Sequence, residues 1–116
     1  MTDKSDLTPQ TGMRMEDPYA EIRTARADRV RDAAVAVAGA EGLTALSRSR
    51  VADAARVSLG TVSNAYGTMQ ALRDAVMHEA VNRPILSILA QGLAMGDPIA
   101  RAAPEHVRQA ALATLT

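Results

Sequence analysis

The stretch VADAARVSLGTVSNAYGT, residues 51–68, sets two short helical patterns on either side of a break that contains neither glycine nor proline. In the first pattern Val51, Ala52 and Ala55 share one face at helical spacing. In the second, Val62 is the main inward residue, and Ser58, Gly60, Thr61, Ser63 and Asn64 around it are small. A helix that shows almost no long side chain to the outside is one that another molecule can approach closely.

Signals on both sides extend the helical reading. Ser47 is a good N-cap for a helix over Arg48 to Ala55, Arg56 and Val57 form the turn, and Ser58 caps a helix that runs to about Tyr66. Thr68 caps the next helix, MQALRDAVMHEAV, whose Leu72, Val76, Met77 and Ala80 make an amphipathic stripe. Upstream, residues 1–16 are polar and without period, which reads as a disordered arm. Asp17-Pro18 looks like a cap followed by proline at the first helical position, with Glu21 in the first turn. The helix that follows reaches Ala40, and its start, at Pro18 or nearer Ala27, stays open. Its apolar stripe is Ile22, Val30, Ala33, Ala34, Val37 and Ala38, and Gly42 suits the end. Downstream, Pro84 interrupts the pattern or begins a new helix. ILSILAQGLAM then runs to Gly96-Asp97-Pro98, and a last element from about Pro104 puts Val107, Ala110, Ala111 and Leu115 on one face. No segment alternates with period two, so the expected class is all-α.

Composition narrows the function. A chain of 116 residues suggests one domain with a small core, and with no Phe, no Trp and much Ala that core is built for close helix packing. Cations and anions balance at 13 each, so net charge alone does not point to nucleic acid. The distribution says more. Twelve of the 13 cations are Arg, the better residue for planar contacts to phosphate and guanine. Between Gly42 and Arg73 stand Arg48, Arg50, Arg56 and Arg73 against the single acid Asp53. The absence of Cys excludes thiol chemistry. Nothing resembles a signal peptide or a membrane span, so a soluble cytoplasmic protein is the expectation. His78 and His106 are isolated, Glu79 lies on a different helix face from His78, and no phosphate loop or nucleophile set is evident. No enzyme, cofactor or metal is expected.

Two short helices joined by a tight turn describe a helix-turn-helix, whose second helix enters the major groove of DNA. In that reading Gly60 and Ser58 let the backbone approach, Ser58, Thr61 and Ser63 donate to phosphate, and Asn64 pairs with adenine. The bland alternative is a plain helical hairpin with Ser58 as a cap and Asn64 solvated.

Residues 27 to about 82 resemble the N-terminal DNA-binding domain of TetR-type regulators. The matching features come in order: the Ala-rich first helix ending in Glu41-Gly42-Leu43, Val51-Ala52 with Ala55, Val57-Ser58, Gly60-Thr61-Val62, Tyr66-Gly67 and Ala71-Leu72. VSLGTVSNAYG is also similar to the recognition helix of LacI-type repressors, although the flanking helices suit the TetR pattern better. The resemblance implies a TetR-like bundle over 17–82. It implies phosphate contacts from Ser58, Thr61 and Ser63, base contacts from Leu59, Gly60 and Asn64, and core roles for Val51, Ala52, Val57, Val62, Tyr66 and Leu72. Arg48, Ser49 and Arg50 would meet the DNA backbone from the preceding helix, with Thr68 beside them. Three positions depart from the family. Arg56 stands where a turn glycine is usual, which implies either a looser turn or a left-handed Arg56. Ser63 replaces a tyrosine and Met69 a lysine, both phosphate contacts in the family.

Length departs as well. Only about 34 residues follow the fourth helix, too few to wall a small-molecule pocket, so no effector is expected. The chain then reads as a truncated protein or as a compact regulator of phage or plasmid type. Residues 83–116 are expected to be the dimerisation segment, through Ile85, Leu86, Ile88, Leu89 and Leu93, too dense an apolar patch to leave in water. The expected function is a repressor that binds an inverted-repeat operator as a homodimer. The alternative is a helical interaction module that kept the fold and lost DNA binding.

Overall fold

In the computed structural model, which describes residues 18–115, the chain is all-α: seven helices and one 3-10 turn, with no strand among the described residues. The helices are α1 (Ala20–Glu41), α2 (Arg48–Ala55), α3 (Leu59–Ala65), α4 (Met69–Asn82), α5 (Leu86–Ala94), α6 (Pro98–Arg101) and α7 (Glu105–Ala113), with the 3-10 turn at Leu43–Ala45. The arm expected over 1–16 and the cap expected at Asp17 lie outside the described residues. Tyr19 takes the N-cap place of α1, so the helix begins just after Pro18 rather than near Ala27.

α1 is the post on which the next three helices are hung. Val30, Ala34, Val35, Val37 and Ala38 are buried along it, and α2, α3 and α4 all pack against it. Small side chains at this seam let the helices approach closely. The expected stripe holds from Val30 onward but not at Ile22, which is 46% exposed because α1 outruns its partners at its N-terminal end. Two polar ties fix the seating. The Arg29 Nε–H donates to the Ala55 carbonyl at the end of α2 (3.0 Å), and the Tyr66 hydroxyl donates to the Ala27 carbonyl (3.3 Å). Burial raises the Tyr66 pKa, so the phenol stays protonated as that bond requires. Arg31 bridges α1 to α4, meeting Asp28 at 3.3 Å, Asp32 at 3.0 Å and Glu79 at 3.8 Å.

Local capping sets the boundaries of α2, α3 and α4. Ser47 Oγ accepts the Arg50 N–H at 3.0 Å, Ser58 Oγ accepts the Thr61 N–H at 3.1 Å, and Thr68 Oγ1 accepts the Ala71 N–H at 3.0 Å. Each such cap contributes about 1 kcal/mol. The turn between α2 and α3 closes on Arg56, which adopts the left-handed conformation (φ 60°, ψ 49°). The Arg56 N–H reaches the Asp53 carbonyl (3.3 Å) and the Val57 N–H the Ala52 carbonyl (3.0 Å), the paired bonds of a Schellman end. Of the two readings of Arg56, the left-handed one is correct, and the turn stays tight without glycine.

The C-terminal helices return onto the bundle, and here the expectation is corrected. Ile88 and Leu89 were expected on a dimer surface, but both are 0% exposed in the single chain and belong to the same apolar cluster as Val30, Leu72 and Met77. Ile85, Leu86 and Leu93 are half-buried and pack against that cluster. The reason is close approach. At Gly92 an added Cβ would stand 2.5 Å from Met77 Cε and 2.9 Å from Ala100 Cβ, so α5 sits directly on α4 and α6. Gln91 clasps the junction after α1, its Oε1 accepting the Leu43 N–H at 2.6 Å. On α7, Val107 and Ala111 are buried as expected, whereas Ala110 and Leu115 are exposed.

Two outcomes follow for urea denaturation. Arg56→Gly relieves the left-handed strain and raises stability by about 0.5–1 kcal/mol, after allowing for the greater freedom of the unfolded glycine chain. Leu89→Ala lowers stability by about 2–5 kcal/mol, the cost of a core cavity, where a residue serving only a dimer surface would leave a folded monomer.

Candidate nucleic-acid interface

α3 is a short helix held from behind. Val62 is buried under it, Tyr66 ties its end to α1, and Ser58 closes its start. Leu59, Gly60, Ser63 and Asn64 are exposed, and Thr61 is half-buried. Leu59, at 54% exposed, is an apolar side chain in water at the first turn. Ser63 and Asn64 spend no side-chain hydrogen bond on the described residues, so their donors and acceptors face outward. Gly60 is not required by the fold. Its backbone is helical, and an added Cβ would meet only Ser58 Oγ, at an ordinary 3.7 Å. Alanine would favour the helix by roughly 0.5–1 kcal/mol at such a place, so glycine keeps the outer surface low at a small cost in stability.

The two hydroxyls at the start of α3 are partly committed. Ser58 Oγ and Thr61 Oγ1 lie 2.9 Å apart, and one donates to the other. Only one hydroxyl proton of the pair is therefore left for an outside acceptor. Thr68 is exposed and its oxygen accepts from Ala71, which leaves its own proton free to be donated.

Arg48 and Arg50, expected to meet the DNA backbone, each also have a partner within the chain, and the Arg50 side chain stays 42% exposed. The Arg48 Nη2–H donates to the Gly67 carbonyl at 3.2 Å, which ties the start of α2 to the turn after α3, and its Nε is buried without a partner. Arg50 forms a two-pronged ion pair with Glu41 at the end of α1, one prong at 3.0 Å. Bonding to Arg50 lowers the Glu41 pKa, and the same bond raises that of Arg50. Ser49 is exposed in the first turn of α2. Arg56 is exposed on the turn itself.

Two cations that the sequence reading passed over stand beside α3. Arg23 and Arg26, on the N-terminal end of α1, line a cleft of about 150 Å³ with Thr61, Asn64 and Ala65. Reading α1 for its inward stripe hid them. The signal that could have found them is the spacing of Arg23, Arg26 and Arg29, three cations along one helix face.

Among the described residues, no group of three or more His, Cys, Asp or Glu could hold a metal ion, and no helix is long and apolar enough to cross a membrane. An open groove of about 670 Å³ lies far along the chain from α3, lined by Leu93, Ala94, Met95, Gly96, Arg101, Arg108 and Leu112. No protein family, curated protein or solved structure matches the chain.

The Glu41–Arg50 pair has a definite pH signature. A carboxylate whose folded pKa is lowered contributes stability above its unfolded pKa and loses it as pH falls through the folded value. Glu41 should therefore titrate below the ordinary glutamate range near ~4.3 when followed by carboxyl NMR, and Arg50→Ala should return it to that range. An unshifted Glu41 in the wild-type protein would mean that Arg50 is free for other contacts at neutral pH.

Proposed function

We propose that this chain is a sequence-specific DNA-binding transcriptional regulator, a repressor that seats α3 in the major groove and binds an inverted repeat as a homodimer. The observation that carries the reading is the outer face of α3. Small or polar groups at Gly60, Ser63 and Asn64 are left outward on a helix that is capped, buried from behind and tied to α1. That is the form a recognition helix needs, since phosphate and base edges must come within hydrogen-bond reach of its backbone and short side chains. The unit formed by α2, the Arg56 turn and α3 then acts as a helix-turn-helix, and the bundle from α1 to α4 as a TetR-like DNA-binding domain.

Roles follow from geometry. Asn64 is exposed and uncommitted, so it can offer both donor and acceptor to one adenine. Ser63, Thr68 and the free hydroxyl of the Ser58–Thr61 pair donate to phosphate, and Leu59 meets a thymine methyl. Arg48 and Arg50 add contacts to the DNA backbone from the start of α2, which their bonds to Gly67 and Glu41 hold in place. One such helix covers only a few base pairs, so useful affinity needs two half-sites related by the symmetry of a dimer. With Ile88 and Leu89 in the core, the surface offered to a second copy is the outer edge of the C-terminal helices, where Met95 is 58% and Leu112 46% exposed around the open groove. Bound to its operator, such a dimer represses by excluding other proteins from the same DNA.

A second reading has one observation in its favour. With Arg50 paired to Glu41, Arg48 committed to Gly67, and Leu59 exposed, the same face suits a protein partner. Selection from random duplexes, followed by titration of the selected and a scrambled duplex at two salt concentrations, separates the two. The DNA reading expects enrichment of an inverted repeat, two chains per site and affinity that falls with salt. The partner reading expects no enrichment. In the same assay Asn64→Ala should relax preference at one position of each half-site, costing ~1–3 kcal/mol of discrimination, and leave the salt dependence nearly unchanged. Equal weakening on both duplexes would make Asn64 a backbone contact.

A further inference from the structure

We propose that Arg23 and Arg26 clamp a DNA phosphodiester in the cleft between the N-terminal end of α1 and α3, and so supply a backbone contact on the side of α3 away from α2. The proposal rests on the DNA-binding reading of α3 and assigns it a further contact. Three observations meet at this cleft. Among the described residues it is lined by Arg23, Arg26, Thr61, Asn64 and Ala65, two cations and two neutral polar residues with no Asp or Glu beside them. A guanidinium has five donors and no acceptor, so the lining suits an anion rich in acceptor oxygens. Its volume, about 150 Å³, falls below the ~300–1,000 Å³ of pockets that enclose drug-sized ligands. Finally, residues 20–26 of α1 are exposed throughout, so this end of the helix contributes little to the core. What it does is carry Arg23 and Arg26, one turn apart, alongside Asn64 and Thr61.

Placement gives the clamp its effect. Asn64 is the proposed base-reading residue and lines the same cleft, so a phosphate held there fixes the register of the strand that Asn64 reads. A contact of this kind adds affinity to every sequence alike. A free phosphate offers similar oxygens, but it lacks the flanking duplex that α3 would engage at the same time.

The test uses the full chain with Arg23→Gln/Arg26→Gln and, as the charge-keeping control, Arg23→Lys/Arg26→Lys. Salt titrations are run on the duplex selected for the wild-type protein and on a scrambled one, with far-UV circular dichroism melting as the check on folding. The Gln pair should bind both duplexes more weakly. Between 50 and 200 mM salt the wild-type protein should lose about 3.5-fold more affinity per half-site than the Gln pair, the value for one fewer neutralised phosphate at a slope of ~0.9. The Lys pair should keep the wild-type slope, and added inorganic phosphate at constant ionic strength should compete no better than chloride. A wild-type protein without salt-dependent DNA binding would overturn both the clamp and the reading beneath it. A binding wild-type protein whose slope the Gln pair shares would overturn the clamp alone. Loss confined to the selected duplex, or displacement of DNA by millimolar phosphate, would likewise overturn it, making the cleft a base-reading or small-anion site.

Discussion

The packing of α1 against α2, α3 and α4 is the constraint on which the rest of the structure depends. None of the short helices is long enough to stand alone in water. α2 and α3 acquire their positions because Val51, Ala52 and Val62 find a common seat in the cluster that holds Val30, Ala34 and Ala38. With alanine at so many of these contacts the seam is thin, and polar ties supply what bulk does not. Arg29 to Ala55, Tyr66 to Ala27 and Arg31 to Glu79 each connect α1 to a different neighbour. None of these three spans fewer than 26 residues of chain.

The same arrangement explains why arginine in this chain is both a structural and a surface residue. A guanidinium at the end of a helix can donate to carbonyls that no N–H will satisfy. Arg29 does so for α2, and Arg108 donates to the Ala103 carbonyl at 2.9 Å just before α7. Arg50 is drawn into the junction by Glu41, where the fold brings the end of α1 against the start of α2. Arg23 and Arg26 stand beyond the packed part of α1, beside α3, and it is there that the proposed interface gathers.

The C-terminal helices complete the core. Gly92 allows α5 to lie against Met77 of α4, and Gln91 reaches back to the turn after α1, where it accepts from Leu43. A shift of α5 would therefore be felt at the α1–α2 junction, since Gln91 also lies beside Gly42, whose positive φ of 100° no other residue type would easily take. The outer edges of α5 and α7 are left to form whatever contact a second copy makes.

What the sequence determined by itself is the part governed by neighbours within a few residues. Ser47, Ser58 and Thr68 cap the helices they were expected to cap, the ends of α2 fall at Arg48 and Ala55, and Arg56 takes one of the two conformations open to it, because caps and turns are satisfied by groups three to five positions away. The inward faces at Val51, Val62, Leu72 and Val76 were legible for the same reason, since helical spacing alone aligns them. Only the tertiary structure decided the rest. An apolar run such as Ile85 to Leu93 states that it must be covered and leaves open by what, and here the cover is the chain's own α4, α6 and α7. Whether an arginine reaches outward depends on which acid or carbonyl the fold carries to it, and Arg50 meets Glu41 only because two helices turn sharply at Gly42. Arg23 and Arg26 come beside Asn64 by the crossing of α1 over α3, a contact between residues some forty positions apart that no local pattern encodes.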